Sequence, residues 1–303
     1  MRILVTTSSF GKADTKPLDI LKGKCNVKLN PHGRKLTTDE FIELTEGMDG
    51  VIAGVESITR EALEKRPNIK VISRCGVGMD SVDIEACREL GVKVFNTPNA
   101  PVDSVAELTV TIMLDLLKNV SNMNSSMKSG NWNKMTGLML NGKKVGIIGM
   151  GRIGSRVAEL ISAFGTEIAY SDIEDKGNEY KFMSKSELLQ WANIITLHTS
   201  SSEEEGYVIG KAELDEMRDS AYIVNTSRGR FMDENALYEA LKEKRIQGAA
   251  LDVFSEEPYS GKLIELDNVI LTPHISSSAK EGRAVMEMEA VYNLFDGLGI
   301  EYD

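Results

Sequence analysis

Short apolar runs alternate with longer polar and amphipathic stretches along the first hundred residues. The longer stretches, such as "TTDEFIELTEG" and "SVDIEACREL", are predicted helices. The apolar runs are predicted strands: "RILVTT", "DGVIAG", "IKVISRCG" and "VKVFNTP". Strands that alternate with helices in this way predict a parallel sheet with helices on both faces.

A second series of the same kind begins at Lys143. Its predicted helices are "RIGSRVAELISAF", "SKSELLQWA" and "DENALYEALKEK", and its predicted strands are "KKVGIIG", "TEIAYSD", "NIITLH", "AYIVNTS", "IQGAALDV" and "NVILTP". We therefore predict an α/β protein with two doubly wound parallel-sheet domains. Two more helices, 104–120 and 279–295, lie outside the alternation. The first is apolar over most of its circumference, so a domain junction or a subunit interface should cover it.

Length and composition agree with this organisation and narrow the functional classes. The chain has 303 residues, enough for two hydrophobic cores, and 42% hydrophobic content is ordinary for a soluble protein. "MRILVTTSSF" is predicted to be a buried strand rather than a secretion signal, and we expect no membrane segment. Cys25, Cys75 and Cys87 show no paired spacing, which predicts a cytoplasmic protein without a metal site. A net charge of −11 argues against nucleic-acid binding.

The motif "GMGRIG" stands between a predicted strand and a predicted helix. Gly149 permits a tight turn, Gly151 lets the backbone approach a pyrophosphate, and Gly154 allows close helix packing. Asp172 ends the next strand, near the spacing at which an acid binds the ribose 2′-hydroxyl, and no arginine lies nearby to accept a 2′-phosphate. The motif, including Arg152 and Ile153, therefore predicts an NAD site rather than a plain packing turn.

The order of the motifs resembles that of the D-isomer-specific 2-hydroxyacid dehydrogenases, most of all phosphoglycerate dehydrogenase-like members. The matching stretches are "SRCGVGMDSVD", "NTP…SVAELTV", "GKKVGIIGMGRIGSRVA", "IVNTSRG", "ALDVFSEEP" and "LTPHI". The resemblance implies two Rossmann-like domains with the active site between them and a homodimer formed through the NAD-binding domains. We therefore expect a discontinuous substrate domain at 1–98 and 279–303, and an NAD-binding domain at 99–278.

The resemblance also implies the catalytic set Arg228, Glu257 and His274. Reduction of a 2-keto acid needs a proton on the substrate oxygen, and a histidine with a reference pKa of about 6.5 can supply it. Glu257 is expected to favour the imidazolium and to orient the ring, and Arg228 offers a planar fork for a carboxylate and a carbonyl.

Further contacts follow from the resemblance. Two successive amides, those of Val77 and Gly78, should hold the substrate carboxylate, and Asp252 should bind the nicotinamide carboxamide. His198 is expected to be a packing residue. The expected cofactor contacts beyond the glycine motif and Asp172 are Val77, Thr199, Thr226, Ser227, Arg228, Asp252, His274, Ser276 and Ser277; the expected substrate contacts are Arg74, Val77, Gly78, Arg228 and His274.

The resemblance leaves the substrate open among 3-phosphoglycerate, glyoxylate and hydroxypyruvate. Val55 and Glu56 stand where some phosphoglycerate dehydrogenases place arginine, and an acid beside a phosphate is unfavourable. Arg74, Arg34 and Lys35 are the alternative cations in the first domain. A regulatory domain like that of some relatives is not expected. A non-catalytic NAD-sensing protein of the same fold is the alternative to an enzyme.

Overall fold

The computed structural model describes residues 1–199 and 206–302, and the chain divides into two compact units. Unit 1 comprises Met1–Val102 and Ser278–Asp303, and unit 2 comprises Asp103–Ser277.

The strands, numbered along the chain, are β1 Arg2–Val5, β2 Asn26–Leu29, β3 Gly50–Ala53, β4 Val71–Arg74, β5 Lys93–Phe95, β6 Lys144–Ile148, β7 Glu167–Ser171, β8 Lys181–Phe182, β9 Ile194–Leu197, β10 Tyr222–Asn225, β11 Gly248–Leu251 and β12 Val269–Leu271. The α-helices are α1 Lys16–Lys24, α2 Thr38–Leu44, α3 Arg60–Glu64, α4 Ile84–Glu89, α5 Val102–Lys118, α6 Val120–Lys128, α7 Arg152–Ser162, α8 Lys185–Trp191, α9 Lys211–Glu216, α10 Glu234–Lys242 and α11 Lys280–Leu298. Two 3₁₀ turns span Gly229–Phe231 and Lys262–Glu265.

Unit 1 is built on a five-stranded parallel sheet in the order β2-β1-β3-β4-β5. The chain moves from β1 outward to β2 and then crosses to β3, so the direction of winding reverses between β1 and β3. This is the flavodoxin-like form of the doubly wound fold. Sequence reasoning did not predict β2, because this edge strand alternates too weakly in hydrophobicity and is mostly exposed.

The predicted final helix is α11, and it completes the core of unit 1. It packs on β3, β4 and β5 and against α1. Met286, Val291, Leu294 and Phe295 are buried in one cluster with side chains of β1, β3 and β4. The C-terminal segment therefore belongs structurally to the N-terminal sheet, which makes unit 1 discontinuous in sequence.

Unit 2 is built on a seven-stranded parallel sheet in the order β12-β11-β10-β9-β6-β7-β8. The winding reverses between β6 and β9, as in a dinucleotide-binding sheet. The short strand β8 has two exposed residues and was not predicted. The predicted fold class, two doubly wound α/β domains, is confirmed.

Helix α5 corresponds to the predicted apolar helix at 104–120, and its apolar surface is largely buried within unit 2. Ala106, Ile112, Met113 and Leu117 are buried in the same cluster as side chains of β6 and α7. The sheet and helices of unit 2 therefore cover much of this surface themselves. No helix in the described ranges is long and apolar enough to cross a membrane.

Candidate active site

The loop that joins β6 to α7 has the geometry of a phosphate cradle. Gly149 has φ of 94°, and a Cβ there would lie 2.7 Å from the backbone nitrogen of Thr199. A Cβ on Gly154 would lie 2.1 Å from the carbonyl oxygen of Gly149, so strand and helix can pack this closely only with glycine. A Cβ on Gly151 would meet nothing within 4 Å.

The first turn of α7 is open to a ligand beside Gly151. This residue is the N-cap, and no side chain caps the helix there. The backbone N–H groups of the first turn, at Arg152, Ile153 and Gly154, lack intrahelical acceptors and form the positive end of the helix dipole. These features suit the pyrophosphate of a dinucleotide.

Asp172 follows β7 and holds the glycine loop. Its Oδ2 accepts a hydrogen bond from Met150 N at 2.7 Å, and its Oδ1 accepts one from Ile173 N at 2.7 Å. The ammonium group of Lys176 lies 3.5 Å from Oδ1. Sequence reasoning found Asp172 by its spacing from the glycines but missed Lys176, which is the cation beside it.

The predicted catalytic side chains lie in the loops that follow three neighbouring strands of unit 2. Asn225, Leu251 and Leu271 end β10, β11 and β12 and are in register across the sheet. Arg228 follows three residues after β10, His274 three residues after β12, and Glu257 lies in the loop after β11. All three side chains therefore leave the carboxyl edge of the sheet, where open α/β sheets bind ligands.

His274 and Glu257 form a direct pair. The imidazole Nδ1 lies 2.8 Å from Glu257 Oε2 and 3.1 Å from Oε1, and Phe254 N donates to Oε1 at 3.1 Å. Both side chains are partly exposed, His274 at 42% and Glu257 at 37%. His274 has φ of 52°, in the left-handed region that few non-glycine residues adopt.

The carboxylate of Asp252 holds the segment on both sides of His274. Its Oδ1 accepts hydrogen bonds from Thr272 Oγ1 at 2.6 Å and Ile275 N at 2.8 Å, and its Oδ2 accepts one from Ser276 N at 2.9 Å. Asp252 is fully buried. The nicotinamide contact predicted for Asp252 stays a prediction. In the structure the carboxylate fixes the turn that carries His274.

Arg228 lies in a loop that packs against the segment carrying Glu257. A Cβ on the next residue, Gly229, would lie 1.9 Å from the carbonyl carbon of Phe254, so the two backbones are in contact. Arg228 Nη1 donates to Ser227 O at 2.7 Å, and Asn225 Nδ2 donates to Arg228 O at 3.0 Å. The sequence alone did not reveal the role of Asn225, which braces this loop.

Thr226 and Ser227, two of the predicted cofactor-lining residues, turn their hydroxyl groups inward. The Thr226 hydroxyl lies 2.8 Å from that of Thr109 on α5, and Ser227 donates to Asn225 Oδ1 at 2.8 Å. The cofactor contacts predicted for Thr226 and Ser227 stay predictions.

Ser276, Ser277 and Thr199 all belong to unit 2. Ser276 is buried, and its carbonyl accepts a hydrogen bond from Ser104. Ser277 is half-buried and follows it directly. Thr199 adjoins the glycine loop at Gly149. Their predicted cofactor contacts stay predictions.

His198 is a structural residue rather than a catalytic candidate. Its Nε2 lies 2.9 Å from Thr196 Oγ1, and burial lowers the pKa of the imidazole to about 3. The ring is therefore neutral near pH 7.

Arg74, Val77 and Gly78, the substrate contacts predicted in unit 1, lie on the turn after β4. Gly76 has φ of 147° and donates its N–H to Thr97 Oγ1 at 2.8 Å, while Asn96 Nδ2 donates to Val77 O at 2.7 Å. Val77 and Gly78 are half-buried. The Arg74 guanidinium folds over Gly76 and donates to Cys75 O.

Arg34 and Glu56, which bear on whether the protein can bind a substrate phosphate, each have hydrogen-bond partners within unit 1. Arg34 pairs with Glu40 through two hydrogen bonds of 2.6 and 2.8 Å. Glu56 is buried; it accepts hydrogen bonds from the Thr6 hydroxyl and from Gly54 N, the latter at 3.0 Å. Its carboxylate is therefore enclosed within unit 1, which sequence reasoning did not foresee.

The comparisons with known proteins agree with these features. Residues 110–276 match the family model for the D-isomer specific 2-hydroxyacid dehydrogenase, NAD binding domain. The chain is 41% identical over 259 residues to the D-3-phosphoglycerate dehydrogenase of Methanocaldococcus jannaschii; the alignment covers 82% of this chain and 49% of the relative, just under half of its length.

Two further proteins match over nearly their whole length. Identity to the hydroxypyruvate reductase of Thermotoga maritima is 36%, covering 88% of this chain and 90% of the relative. A crystal structure of a protein from Thermus thermophilus superposes with a TM-score of 0.92 at 35% identity, covering 99% of this chain and 97% of that one. The chain therefore belongs to the D-isomer-specific 2-hydroxyacid dehydrogenase family, and it carries that family's NAD-binding domain.

Proposed function

We propose that the chain is an NAD-dependent dehydrogenase that interconverts a D-2-hydroxy acid and the corresponding 2-keto acid. The observation that carries this proposal is the pair of His274 Nδ1 and Glu257 Oε2, 2.8 Å apart, at the carboxyl edge of a sheet whose glycine loop fits a dinucleotide. When bound, NAD supplies or accepts the hydride at C2 of the substrate.

His274 exchanges the proton of the substrate oxygen. Because Glu257 holds Nδ1, the opposite ring nitrogen, Nε2, is the one available to the substrate. It donates a proton when the keto acid is reduced and accepts one when the hydroxy acid is oxidised. Asp252 positions the histidine through the backbone of residues 275–276 and the hydroxyl of Thr272.

Arg228 binds the substrate carboxylate and polarises its C2 carbonyl. A guanidinium presents paired donors in a plane, which match two oxygens better than an ammonium does. In the reduction, the same charge stabilises the negative charge that develops on the C2 oxygen. The backbone amides of Val77 and Gly78 are proposed as further donors to the carboxylate.

The substrate depends on whether unit 1 can bind a second anionic group. The relatives include both a hydroxypyruvate reductase and a D-3-phosphoglycerate dehydrogenase. Neither of the two residues considered in the loop after β3 is a cation. Val55 is apolar and 54% exposed, and the carboxylate of Glu56 is turned inward. Hydroxypyruvate and glyoxylate need no such cation, whereas a phosphorylated substrate would need one from elsewhere in unit 1.

We propose a homodimer formed through unit 2. Exposed apolar side chains cluster along α6 and the segment that follows it, and surfaces of this kind mark interaction sites. They are Val120, Met127, Trp132, Met135, Leu138 and Met139. A cytoplasmic location is proposed because Cys25, Cys75 and Cys87 are all free thiols.

Replacing His274 by Asn should abolish most of the turnover, because the substrate oxygen then has no proton donor or acceptor. We expect kcat for reduction of a 2-keto acid to fall by about 10²–10⁴-fold, with the Kd for NADH changed less than about twofold. Stopped-flow absorbance and NADH fluorescence titration measure the two quantities. The matched control is His32→Asn in unit 1, where the exposed ring lies 3.8 Å from Glu40. Equal turnover by wild type and His274→Asn would remove His274 from the mechanism.

Replacing Asp172 by Ala should weaken the preference for NADH over NADPH. Without the carboxylate, the ribose 2′-hydroxyl loses its acceptor and Lys176 can pair with a 2′-phosphate. We expect the ratio of kcat/KM values for the two cofactors to fall by about tenfold or more. Glu167→Ala, an exposed side chain at the opposite end of β7, is the control and should leave the ratio near its original value. A ratio unchanged by Asp172→Ala would contradict the ribose assignment.

Placing a charge in the apolar cluster of unit 2 should dissociate the dimer. Trp132 is 75% exposed in the single chain, so Trp132→Arg would bury an unpaired charge in the interface. Sedimentation velocity should give the mass of two chains for wild type and of one chain for the variant. Leu90→Arg, on an exposed apolar position of unit 1, should remain dimeric. A wild-type protein that sediments as one chain would disprove the proposal.

A further inference from the structure

A buried hydroxyl group holds the loop that follows β7 in unit 2. We call residues 172–177 the acidic loop, because three of its six residues are acidic and Lys176 is its one cation. Residues 173–177 are all exposed, and an exposed loop of this kind is mobile unless it is anchored.

The anchor is Tyr170 on β7. Its side chain is fully buried in the same cluster as side chains of β6 and α7. The hydroxyl donates to Asp175 Oδ1 at 2.5 Å and accepts a hydrogen bond from Lys176 N at 2.7 Å. Gly177 N donates to the same carboxylate oxygen at 2.9 Å. A buried phenol hydroxyl needs hydrogen-bond partners, and these two both lie in the acidic loop.

The anchor persists at neutral pH. The Tyr170 hydroxyl, together with the Gly177 N–H, holds the pKa of the Asp175 carboxyl below its usual range. Burial raises the pKa of the Tyr170 hydroxyl, and its bond to Asp175 raises it further. The carboxylate therefore stays charged and the phenol stays protonated, which is the state that the hydrogen bond needs.

The same anchor sets where the Lys176 ammonium lies. Because the backbone N–H of Lys176 is bound to Tyr170, its side chain leaves the loop from a fixed point. The ammonium nitrogen lies 3.5 Å from Asp172 Oδ1 and 3.2 Å from Glu174 Oε1. The Asp172 side chain is only 13% exposed, whereas that of Glu174 is 76% exposed, so the charge beside Asp172 is less screened by water.

We propose that Tyr170 is a specificity-determining positioning residue, and that the Lys176 ammonium, which it holds beside Asp172, lets the protein bind NADP as a second, weaker cofactor. The proposal rests on the proposed contact between Asp172 and the adenosine ribose. All the residues that it uses belong to unit 2.

The charges explain why the lysine acts on one cofactor and not on the other. The Asp172 carboxylate can accept a hydrogen bond from a ribose 2′-hydroxyl, but it repels a 2′-phosphate, which carries nearly two negative charges near pH 7. An ammonium beside the carboxylate reduces this repulsion and offers donors to the phosphate oxygens. The 2′-hydroxyl of NAD needs only the acceptor. NADP stays the weaker ligand because both acidic neighbours of Lys176 remain.

Tyr170→Phe isolates the contribution of the hydroxyl. The ring keeps its place in the core, where its centroid lies 5.5 Å from that of Phe182. The acidic loop loses its buried partner, and its polar groups can turn to water instead. Hydrogen exchange of the peptide that spans residues 172–178 should therefore be about tenfold faster in this variant. Unchanged exchange would show that Tyr170 does not anchor the loop and would overturn the proposal.

Fluorescence titration of the reduced cofactors tests the specificity. Wild type should bind NADPH measurably and more weakly than NADH. Lys176→Met should raise the Kd for NADPH about fivefold, and Tyr170→Phe at least about threefold, with the Kd for NADH changed less than about 1.5-fold in both. Lys176→Arg should keep the ratio of the two Kd values near that of wild type, because it keeps the charge. The controls are Tyr222→Phe, at the amino end of β10, and Lys242→Met, exposed on α10; both should leave the ratio unchanged.

The double variant decides whether Tyr170 acts through Lys176. If it does, Tyr170→Phe combined with Lys176→Met should give the Kd ratio of Lys176→Met alone. Independent, additive effects would overturn the positioning role, as would equal weakening of both cofactors by Tyr170→Phe. No measurable binding of NADPH to wild type, or an unchanged ratio in Lys176→Met, would overturn the role of the lysine.

Asp172→Ala separates this proposal from the ones on which it rests. A Kd ratio that changes in Asp172→Ala but not in Lys176→Met leaves the ribose at Asp172 and removes only the role of Lys176 and Tyr170. A ratio that changes in neither variant contradicts the placement of the ribose as well. Because the readout is cofactor binding, a protein that reduces no 2-keto acid still gives a decisive result.

Discussion

The site in unit 2 depends on the way three parallel strands end together and on one buried carboxylate. β10, β11 and β12 bring Arg228, Glu257 and His274 to the same edge of the sheet. Asp252 then ties the chain on both sides of His274 to the end of β11. A fully buried carboxylate stays stable only when its oxygens are satisfied, so this turn is strongly fixed. The histidine can therefore be partly exposed and still have a defined position.

The glycine loop between β6 and α7 is also held by close backbone packing and by a carboxylate. The glycines let the backbone of the loop approach β9 and let α7 approach β6. Asp172 accepts hydrogen bonds from the loop as well as from its own neighbour, so it supports the cradle in addition to its proposed contact with the ribose. Lys176 adds a positive charge beside it. The preference for NAD should therefore depend on the balance between this acid and this lysine.

Much of this could be predicted from the sequence. Buried strands appear in the sequence as apolar runs, so most strands of both sheets were predicted. The mostly exposed strands β2 and β8 were not predicted. The glycine motif stands between a predicted strand and a predicted helix, which a single sequence reveals, whereas the catalytic residues were predicted from the resemblance to a known family. Side-chain pairing across the fold is not visible in that way. The inward turn of Glu56, the hydrogen bonds of Asp252 and the proximity of Lys176 to Asp172 all required coordinates.

We propose that the groups at the carboxyl edge of unit 2 catalyse hydride exchange at C2 of a 2-keto acid and do not only bind the dinucleotide. The most direct measurement is the loss of NADH absorbance when the purified wild-type protein is mixed with a panel of 2-keto acids, glyoxylate and hydroxypyruvate among them. We expect sustained loss of absorbance with at least one member of the panel and formation of the D-2-hydroxy acid. NADH binding without turnover across the whole panel would contradict it and would indicate a dinucleotide-sensing protein of the same fold.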